Sequence, residues 1–181
     1  MKATQENTSL DEFFTTVLKL KAVERQGWKD KLGMRHPESV ADHCFSMAAI
    51  AMVLADQDHL DTQKVLKMSL LHDLAETITG DLTPNDVTKS KKEKMENAAM
   101  KKILQCLDKK LEMQYWKIWQ EYQKNTTKES CLVHQVDKLE MALQAKVYQK
   151  SGYKKTAIEP FFKSARSAVV DPKLAKYVPD L

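Results

Sequence analysis

The stretch that decides the fold is Val65-Leu-Lys-Met-Ser-Leu-Leu-His-Asp-Leu-Ala-Glu76, an apolar run that ends in the ionisable pair His72-Asp73. Apolar residues recur in it at helical spacing, so the pattern predicts a helix from Thr62 to about Thr77. Glu76 follows His72 by four residues, which places both side chains on one helical face. Gly80 then marks the end of the helix. The stretch therefore predicts a buried helix with ionisable side chains at its carboxyl end.

Helical spacing recurs along most of the chain and predicts an all-α fold, a single helical bundle. Four glycines and five prolines in 181 residues leave few turns, which disfavours a sandwich or barrel. Residues 21–38 are interrupted by glycine and proline and predict a long loop that allows a turn of helix. No repeat or break in composition appears, so we expect one domain over residues 1–181, with its core at about 10–170. A first helix is expected from a capping box at Ser9, and others at about 39–55, 88–111 and 127–150. One further helix is expected to include residues 115–122, and a last one to include residues 161–169.

Composition excludes several classes of protein. The net charge of +4 is too small to indicate a nucleic-acid binder by itself, and the glycines are too far apart for a phosphate-binding loop. Three widely spaced cysteines without a C-x-x-C indicate neither a disulfide framework nor a thiolate zinc site. The longest uncharged run, residues 44–55, is shorter than the roughly 20 residues of a membrane span, and no secretory signal is visible. We expect a cytoplasmic protein that binds neither nucleic acid nor membranes.

Four ionisable residues lie on faces that the pattern predicts to be buried. They are His43, His72, Asp73 and Asp137. Buried charges are costly unless they are paired or bound to a metal, and two imidazoles with two carboxylates suit a divalent first-row ion. Each residue alone has a simpler interpretation, because a core histidine often bonds a carbonyl and an inward aspartate often meets a lysine or arginine. The metal hypothesis depends on the four together.

Further polar residues stand beside this set. Glu76 and Asp81 follow the proposed ligands, where a general acid or base would stand relative to a metal, although Asp81 could merely organise the turn after Gly80. Upstream, Arg25 can clamp a phosphate and Trp28 can face a sugar or a base. Without further context, a surface arginine and a packing tryptophan are the simpler interpretation.

Four ordered motifs carry a resemblance to a known family. They are Leu20-x-x-Val-x-Arg-x-Gly-Trp28, Pro37-Glu-Ser-Val-Ala-Asp-His43, His72-Asp-x-Ala-Glu-x-x-x-Gly-Asp-x-x-Pro84 and Val136-Asp-Lys-Leu-Glu-Met-x-Leu-Gln-Ala145. The sequence is similar to the HD-domain metal-dependent phosphohydrolases, with their H…HD…D signature. Within them it resembles the 5′-deoxynucleotidase branch, which includes the bacterial YfbR-type enzymes and the HD domain-containing protein 2 group. The match runs from about Leu10 to about Val170.

The resemblance implies an all-α HD fold, usually homodimeric, that removes phosphate from 5′-deoxynucleoside monophosphates with the help of a divalent cation. Carried onto this sequence, the metal ligands are His43, His72, Asp73 and Asp137. The ion would be Co²⁺, Mn²⁺, Mg²⁺, Zn²⁺, Ni²⁺ or Fe²⁺.

The resemblance also implies roles for residues around the metal. Glu76 and Asp81 would be the catalytic carboxylates, and with the Leu82 carbonyl they would hold any second cation. The substrate would be bound by Arg25, Trp28, His36 and Ser39. The chain departs here from the bacterial branch, in which the arginine and the tryptophan are adjacent, because Gln26 and Gly27 intervene.

Three other functions remain open from the sequence. HD proteins also hydrolyse guanosine tetraphosphate-like nucleotides, triphosphates and cyclic dinucleotides. A non-catalytic nucleotide sensor stapled by a metal would fit the ligands alone, although a purely structural site needs neither Glu76 nor Asp81. The lysine-rich run at 89–94 could contact nucleic acid, but its charges alternate with acids, as on a solvated helix face.

Overall fold

The structure, a computed structural model, describes residues 2–180, with side chains from residue 10 onward. In these residues the chain forms helices and no strand, and Glu24 pairs with Ser39 in an isolated antiparallel bridge. The all-α prediction is confirmed. The α-helices are α1 (Lys2–Lys19), α2 (Gln26–Leu32), α3 (Val40–Gln57), α4 (Thr62–Leu71), α5 (Glu76–Thr79), α6 (Lys89–Leu104), α7 (Lys109–Lys124), α8 (Lys128–Lys150), α9 (Lys155–Ala168) and α10 (Pro172–Ala175), and a 3₁₀ helix spans Leu20–Ala22.

The centre of the fold is formed by α3, α4 and α8. Helix α3 packs against both α4 and α8, while α7 contacts α4 and α8, and α9 covers α8. Met47, Met68, Val133 and Phe162 are fully buried where these helices meet, and their buried cluster extends from Trp28 to Val178. Burial of this apolar area is the main source of the stability of the fold.

Side-chain caps set where the central helices begin. The Ser39 hydroxyl accepts the backbone N–H of Asp42, while the Asp42 carboxylate accepts the N–H of Ser39, which makes a capping box at α3. Asp61 caps α4 and Thr127 caps α8 in the same way, through backbone N–H groups three residues on. These caps fix the register that turns His43 inward within the first turns of α3.

Four boundaries differ from the sequence-based predictions, and the first is the start of α1, which lies at Lys2 rather than at the predicted Ser9 capping box. The helix predicted over residues 88–111 is wrong as one element, because Asp108 accepts the N–H groups of Lys110 and Leu111 and so starts α7. The helix predicted to reach Thr77 ends at Leu71, and residues 72–75 form turns before α5. Residues 21–38 are more helical than expected, since they contain α2, which ends at Gly33 with a left-handed φ of 63°.

No helix among the described residues is long and apolar enough to cross a membrane.

Candidate active site

Two buried histidines form the base of the candidate site. The His43 Nδ1–H donates to the Glu140 carboxylate at 2.6 Å, and the His72 Nδ1–H donates to the Ser69 carbonyl at 2.7 Å. Such bonds fix the tautomer of a neutral ring, so Nε2 is the nitrogen that each ring can offer to a metal. Both Nε2 atoms are buried and make no hydrogen bond. This arrangement fits a metal ion, because a buried ring nitrogen without a partner is otherwise costly.

Two carboxylates close the group around these nitrogens. Asp73 Oδ2 lies 3.1 Å from His72 Nε2 and 3.8 Å from His43 Nε2, and Asp137 Oδ1 lies 3.2 Å from His43 Nε2. The donor atoms of His43, His72 and Asp73 lie within 4.8 Å of one another. Across the part of the chain that the structure describes, this is the group of histidine, cysteine and acidic side chains compact enough to hold an ion. The fold therefore brings three of the predicted ligands, His43, His72 and Asp73, into one compact group, and Asp137 lies outside that group against His43.

The charges of this group depend on each other. Burial and Arg25 lower the pKa of His43, but Asp137 and Glu140 outweigh them and raise it to about 9 in the absence of a metal. Burial raises the pKa of Asp137, yet Lys138 and His43 bring it well below its usual range. The pKa of Asp73 is also lowered, since His72, His43 and Arg25 outweigh its burial. Both aspartates are thus ionised, and a metal must displace a proton from His43.

Arg25 supplies positive charge beside the acidic ligands. It stands at the N-cap of α2, and its guanidinium lies 3.6 Å from Asp73 Oδ2. Burial by itself would lower the pKa of Arg25. The negative charges of Asp73, Asp81 and neighbouring carboxylates outweigh burial and raise the pKa, so the guanidinium stays charged. Arg25, His72, Asp73 and Asp137 all line one cavity of about 600 Å³. That volume suits a small ligand with an anionic group.

Glu76 and Asp81 line the same cavity. Glu76 is only 2% exposed, and its Oε2 has no hydrogen-bond partner. Burial, Asp73 and Asp81 raise the pKa of Glu76 well above its usual range. Asp81 follows Gly80, whose φ of 73° favours glycine, and its Oδ2 accepts the backbone N–H of Gln26 at 2.8 Å. Asp81 therefore also ties the loop after α5 to the start of α2.

Some of the other residues predicted to contact substrate border the cavity, and others do not. Trp28 borders the cavity but is only 1% exposed, since its indole packs on Phe161 and Tyr148 and its N–H donates to Glu38. His36 is exposed and Ser39 caps α3, and neither borders the cavity. The Leu82 carbonyl borders it and accepts the Lys92 ammonium at 2.8 Å.

Sequence reasoning missed three residues that hold the site in place. Glu140 bonds His43, and Lys138 lies 2.9 Å from the outer oxygen of Asp137. Lys92 reaches from α6 into the cavity between Glu76 and the Leu82 carbonyl. For Glu140 a signal existed, because an acidic residue three positions after Asp137 on a buried face requires a partner. No pattern in α6 separates Lys92 from its lysine neighbours.

The fold and the site agree with comparisons to known proteins. The family model for the HD domain matches residues 17–176. The chain therefore belongs to the HD domain family.

Two curated relatives make the relationship more specific. The human protein named 5′-deoxynucleotidase HDDC2 is 36% identical over 174 residues, which cover 96% of this chain and 84% of that protein. The Dictyostelium discoideum protein of the same name is 38% identical over 172 residues, covering 89% of this chain and 90% of that one. The resemblance seen in the sequence motifs is thus confirmed.

A solved structure supports the fold. The crystal structure of the PH0347 protein from Pyrococcus horikoshii is 35% identical, with a TM-score of 0.77, and the match covers 92% of each chain.

Proposed function

We propose that this chain is a divalent-metal-dependent 5′-deoxynucleotidase, which hydrolyses deoxyribonucleoside 5′-monophosphates to deoxynucleoside and phosphate. The observation that carries the proposal is the pair of buried Nε2 atoms, on His43 and His72, that converge with Asp73 beside the charged Arg25. The names of the relatives supply the substrate class.

The metal would be held by His43, His72, Asp73 and Asp137. Imidazole and carboxylate donors suit Co²⁺, Mn²⁺, Mg²⁺, Zn²⁺, Ni²⁺ or Fe²⁺, and the choice among them depends on availability as well as affinity. When bound, such an ion acts as a Lewis acid on phosphate oxygens and lowers the pKa of coordinated water.

The protein side chains supply the remaining chemistry. Arg25 keeps its charge in the cavity, so its guanidinium can bind the phosphate and offset the charge that develops during transfer. Glu76, with its raised pKa, is protonated more readily than an ordinary glutamate and can donate a proton to the leaving 5′ oxygen. Asp81 keeps one oxygen on the Gln26 N–H, which leaves the other to orient the attacking water. Trp28 holds α2 in place, because its indole packs on Phe161 of α9 and its N–H donates to Glu38.

The test is phosphate release by metal-stripped protein after each metal is added back. The panel contains 5′-deoxy- and 5′-ribonucleoside monophosphates, a deoxynucleoside triphosphate, guanosine tetraphosphate and a cyclic dinucleotide. We expect metal-dependent release from the monophosphates, with the deoxy compounds preferred. Release from a larger nucleotide alone would contradict the substrate class. Binding without release from any compound, by protein shown to hold the metal, would favour a nucleotide sensor.

The proposal includes a homodimer of one HD domain per chain. Its support is an exposed apolar face along α3, formed by Phe45, Ala49, Met52 and Val53, where Phe45 is 75% exposed. An apolar stripe of this kind on a surface helix marks an interaction site. Light scattering should give twice the chain mass for the protein and the chain mass for Phe45→Glu. Equal masses would contradict this face as the interface.

A cytoplasmic location and the absence of nucleic-acid binding stay parts of the proposal. The first is supported by three widely spaced cysteines, which suit a reducing compartment. The second is supported by the small net charge of +4.

A further inference from the structure

Tyr122 stands on α7, with its side chain in the wall of the active-site cavity. In residues 10–180, whose side chains are described, no group makes a hydrogen bond to its hydroxyl. The hydroxyl is also not sealed in the core, because the unpartnered side-chain atoms that are fully buried belong to His43, Ser69, His72 and Glu76. An unpartnered oxygen that is not fully buried, on a residue that lines a cavity, opens onto that cavity. The phenol O–H is therefore free to bind a ligand there.

Neighbouring rings hold the Tyr122 ring in one orientation. It stacks on His134 of α8, with centroids 4.1 Å apart and planes 3° from parallel, and it meets the His72 ring edge-on at 5.7 Å. The His134 Nε2–H donates to the backbone carbonyl of Tyr122 at 2.9 Å, which fixes the stack. A phenol held in this way presents its O–H at a fixed place beside a metal ligand, so little ordering is needed when a ligand binds.

The surroundings of the phenol keep its proton in place. Burial and the negative charges of carboxylates, Asp137 and Asp73 foremost, raise the pKa of Tyr122 well above its usual range. The hydroxyl is therefore a neutral donor at neutral pH. Asp137 and Asp73 are assigned to the metal in the proposed function, and the outer oxygen of Asp137 lies 2.9 Å from the Lys138 ammonium. Because these carboxylates are engaged, a ligand in the cavity supplies the acceptor for the phenol.

We propose that Tyr122 is a substrate-binding residue, whose phenol O–H donates a hydrogen bond to a phosphate oxygen beside the metal ligands. The inference rests on the proposed function, because it adds a phosphate contact to the same site. Arg25 reaches the cavity from α2 as a cation, whereas Tyr122 reaches it from α7 as a neutral donor. A hydrogen bond to a charged oxygen is stronger than one to a neutral oxygen. Contacts from two elements would orient the phosphate, and phosphoryl transfer depends mainly on such positioning and on charge.

The experiment measures the binding of inorganic phosphate to Mn²⁺-loaded protein by isothermal titration calorimetry. Tyr122→Phe removes the hydroxyl and keeps the ring, so the stack on His134 is retained. We expect its Kd for phosphate to be about 10-fold or more higher than that of the wild type, because a hydrogen bond to a charged group is lost. Tyr115→Phe is the matched control, since Tyr115 is half-buried on the same helix and does not border the cavity. It should bind phosphate like the wild type.

Bound Mn²⁺, counted by mass spectrometry, should be equal in the three proteins. The inference is overturned if Tyr122→Phe binds phosphate as tightly as the wild type, or if the wild type binds none. Loss of Mn²⁺ from Tyr122→Phe would also overturn it, because the phenol would then support the metal ligands rather than the phosphate. The titration contains no nucleotide, so its result stands whichever nucleotide the protein hydrolyses. Failure of the proposed activity and failure of this inference are therefore separate results.

Discussion

Two clusters of polar side chains at the candidate site differ in how their buried polar atoms are partnered. The imidazole cluster, formed by His43, His72, Asp73 and Asp137, has two buried ring nitrogens without a hydrogen bond. The Lys92 cluster, formed by Glu76, Asp81, Leu82 and Lys92, has a lysine ammonium on its carbonyl and near its buried carboxylate. The first cluster offers two ring nitrogens to an added metal ion, whereas the second already contains a lysine ammonium.

This difference fits a division of the proposed roles, with metal binding in the imidazole cluster and proton transfer by Glu76. Helix caps and Nδ1 hydrogen bonds fix the donors of the imidazole cluster before any ion arrives, so little ordering is needed on binding. Glu76 instead keeps one oxygen without a hydrogen-bond partner and a raised pKa, which suits a group that must exchange a proton. We therefore expect substitutions in the two clusters to have different effects on metal binding.

The largest effect is expected in the imidazole cluster, from Asp73→Asn. The variant keeps the size of the side chain but removes a ligand charge, so the metal should bind weakly. We expect activity at saturating nucleotide to fall by about 10³-fold or more, since a metal contributes several kcal/mol to such reactions. The measurements are bound metal and phosphate release, with Asp11→Asn, an exposed aspartate of α1, as the control. Full metal occupancy with normal turnover would remove Asp73 from the ligand set.

Glu76→Gln should separate the two clusters. The amide keeps the shape of Glu76 but cannot donate the carboxyl proton, so turnover should fall by roughly 10²-fold or more. Metal binding should stay at the wild-type level, because Glu76 is not a ligand of the imidazole cluster. Glu159→Gln on α9 serves as the control. Normal turnover of Glu76→Gln would exclude the assigned acid role, and loss of metal would place Glu76 in the ligand set.

The sequence was sufficient for the parts of this comparison that depend on helical spacing. Apolar stripes predicted the central helices and the inward direction of His43 and Asp137, because burial constrains those faces along their whole length. The donor atoms of His43, His72 and Asp73 lie close together in the structure for the same reason. Local rules failed where a single polar side chain decided the path, as Asp108 did in dividing the helix predicted over 88–111.

The Lys92 cluster could not be predicted in the same way. Lys92 acquires its partners through contacts across about ten residues of chain, from α6 back to the loop after α5, and lysines next to it are exposed. Trp28 is the opposite case, because here the sequence suggested a substrate contact that the structure does not favour. An R-x-G-W segment suggests a substrate contact, but the tertiary packing of Phe161 and Tyr148 buries the indole. Such contacts depend on which elements meet, which spacing along one helix does not determine.

The third prediction concerns the pH dependence of stability, which depends on the charge of His43 in the imidazole cluster. In metal-free protein, the pKa of His43 is raised to about 9 from 6.5. A raised pKa contributes stability that is fully present below about pH 6.5 and is lost as the pH rises through 9. The expected loss is on the order of 3 kcal/mol in the free energy of unfolding. Bound metal should reduce this loss, because it replaces the proton on His43.

The measurement is urea unfolding of chelator-treated and metal-loaded protein between pH 6 and 10. Glu76 also has a raised pKa and would add a loss of the same sign, so the comparison is made in the Glu76→Gln background. Metal-free protein whose stability is flat or rises across this range would contradict the charge assignment at His43.

The smallest effect is expected from Glu140, which would influence a bound metal only through His43. Its carboxylate accepts the His43 Nδ1–H and so holds the ring with Nε2 toward the ligands. Glu140→Leu removes that acceptor, and loss of such a supporting bond typically weakens metal binding about 10- to 100-fold. Glu140→Gln keeps an acceptor oxygen without the charge, so it should restore most of the affinity. A competition titration with a metal-sensitive dye measures both variants, and the chemical shifts of the His43 ring report its tautomer. If Glu140→Leu keeps wild-type affinity and the same tautomer, helix packing alone orients His43 and the bond to Glu140 has no part in preparing the site.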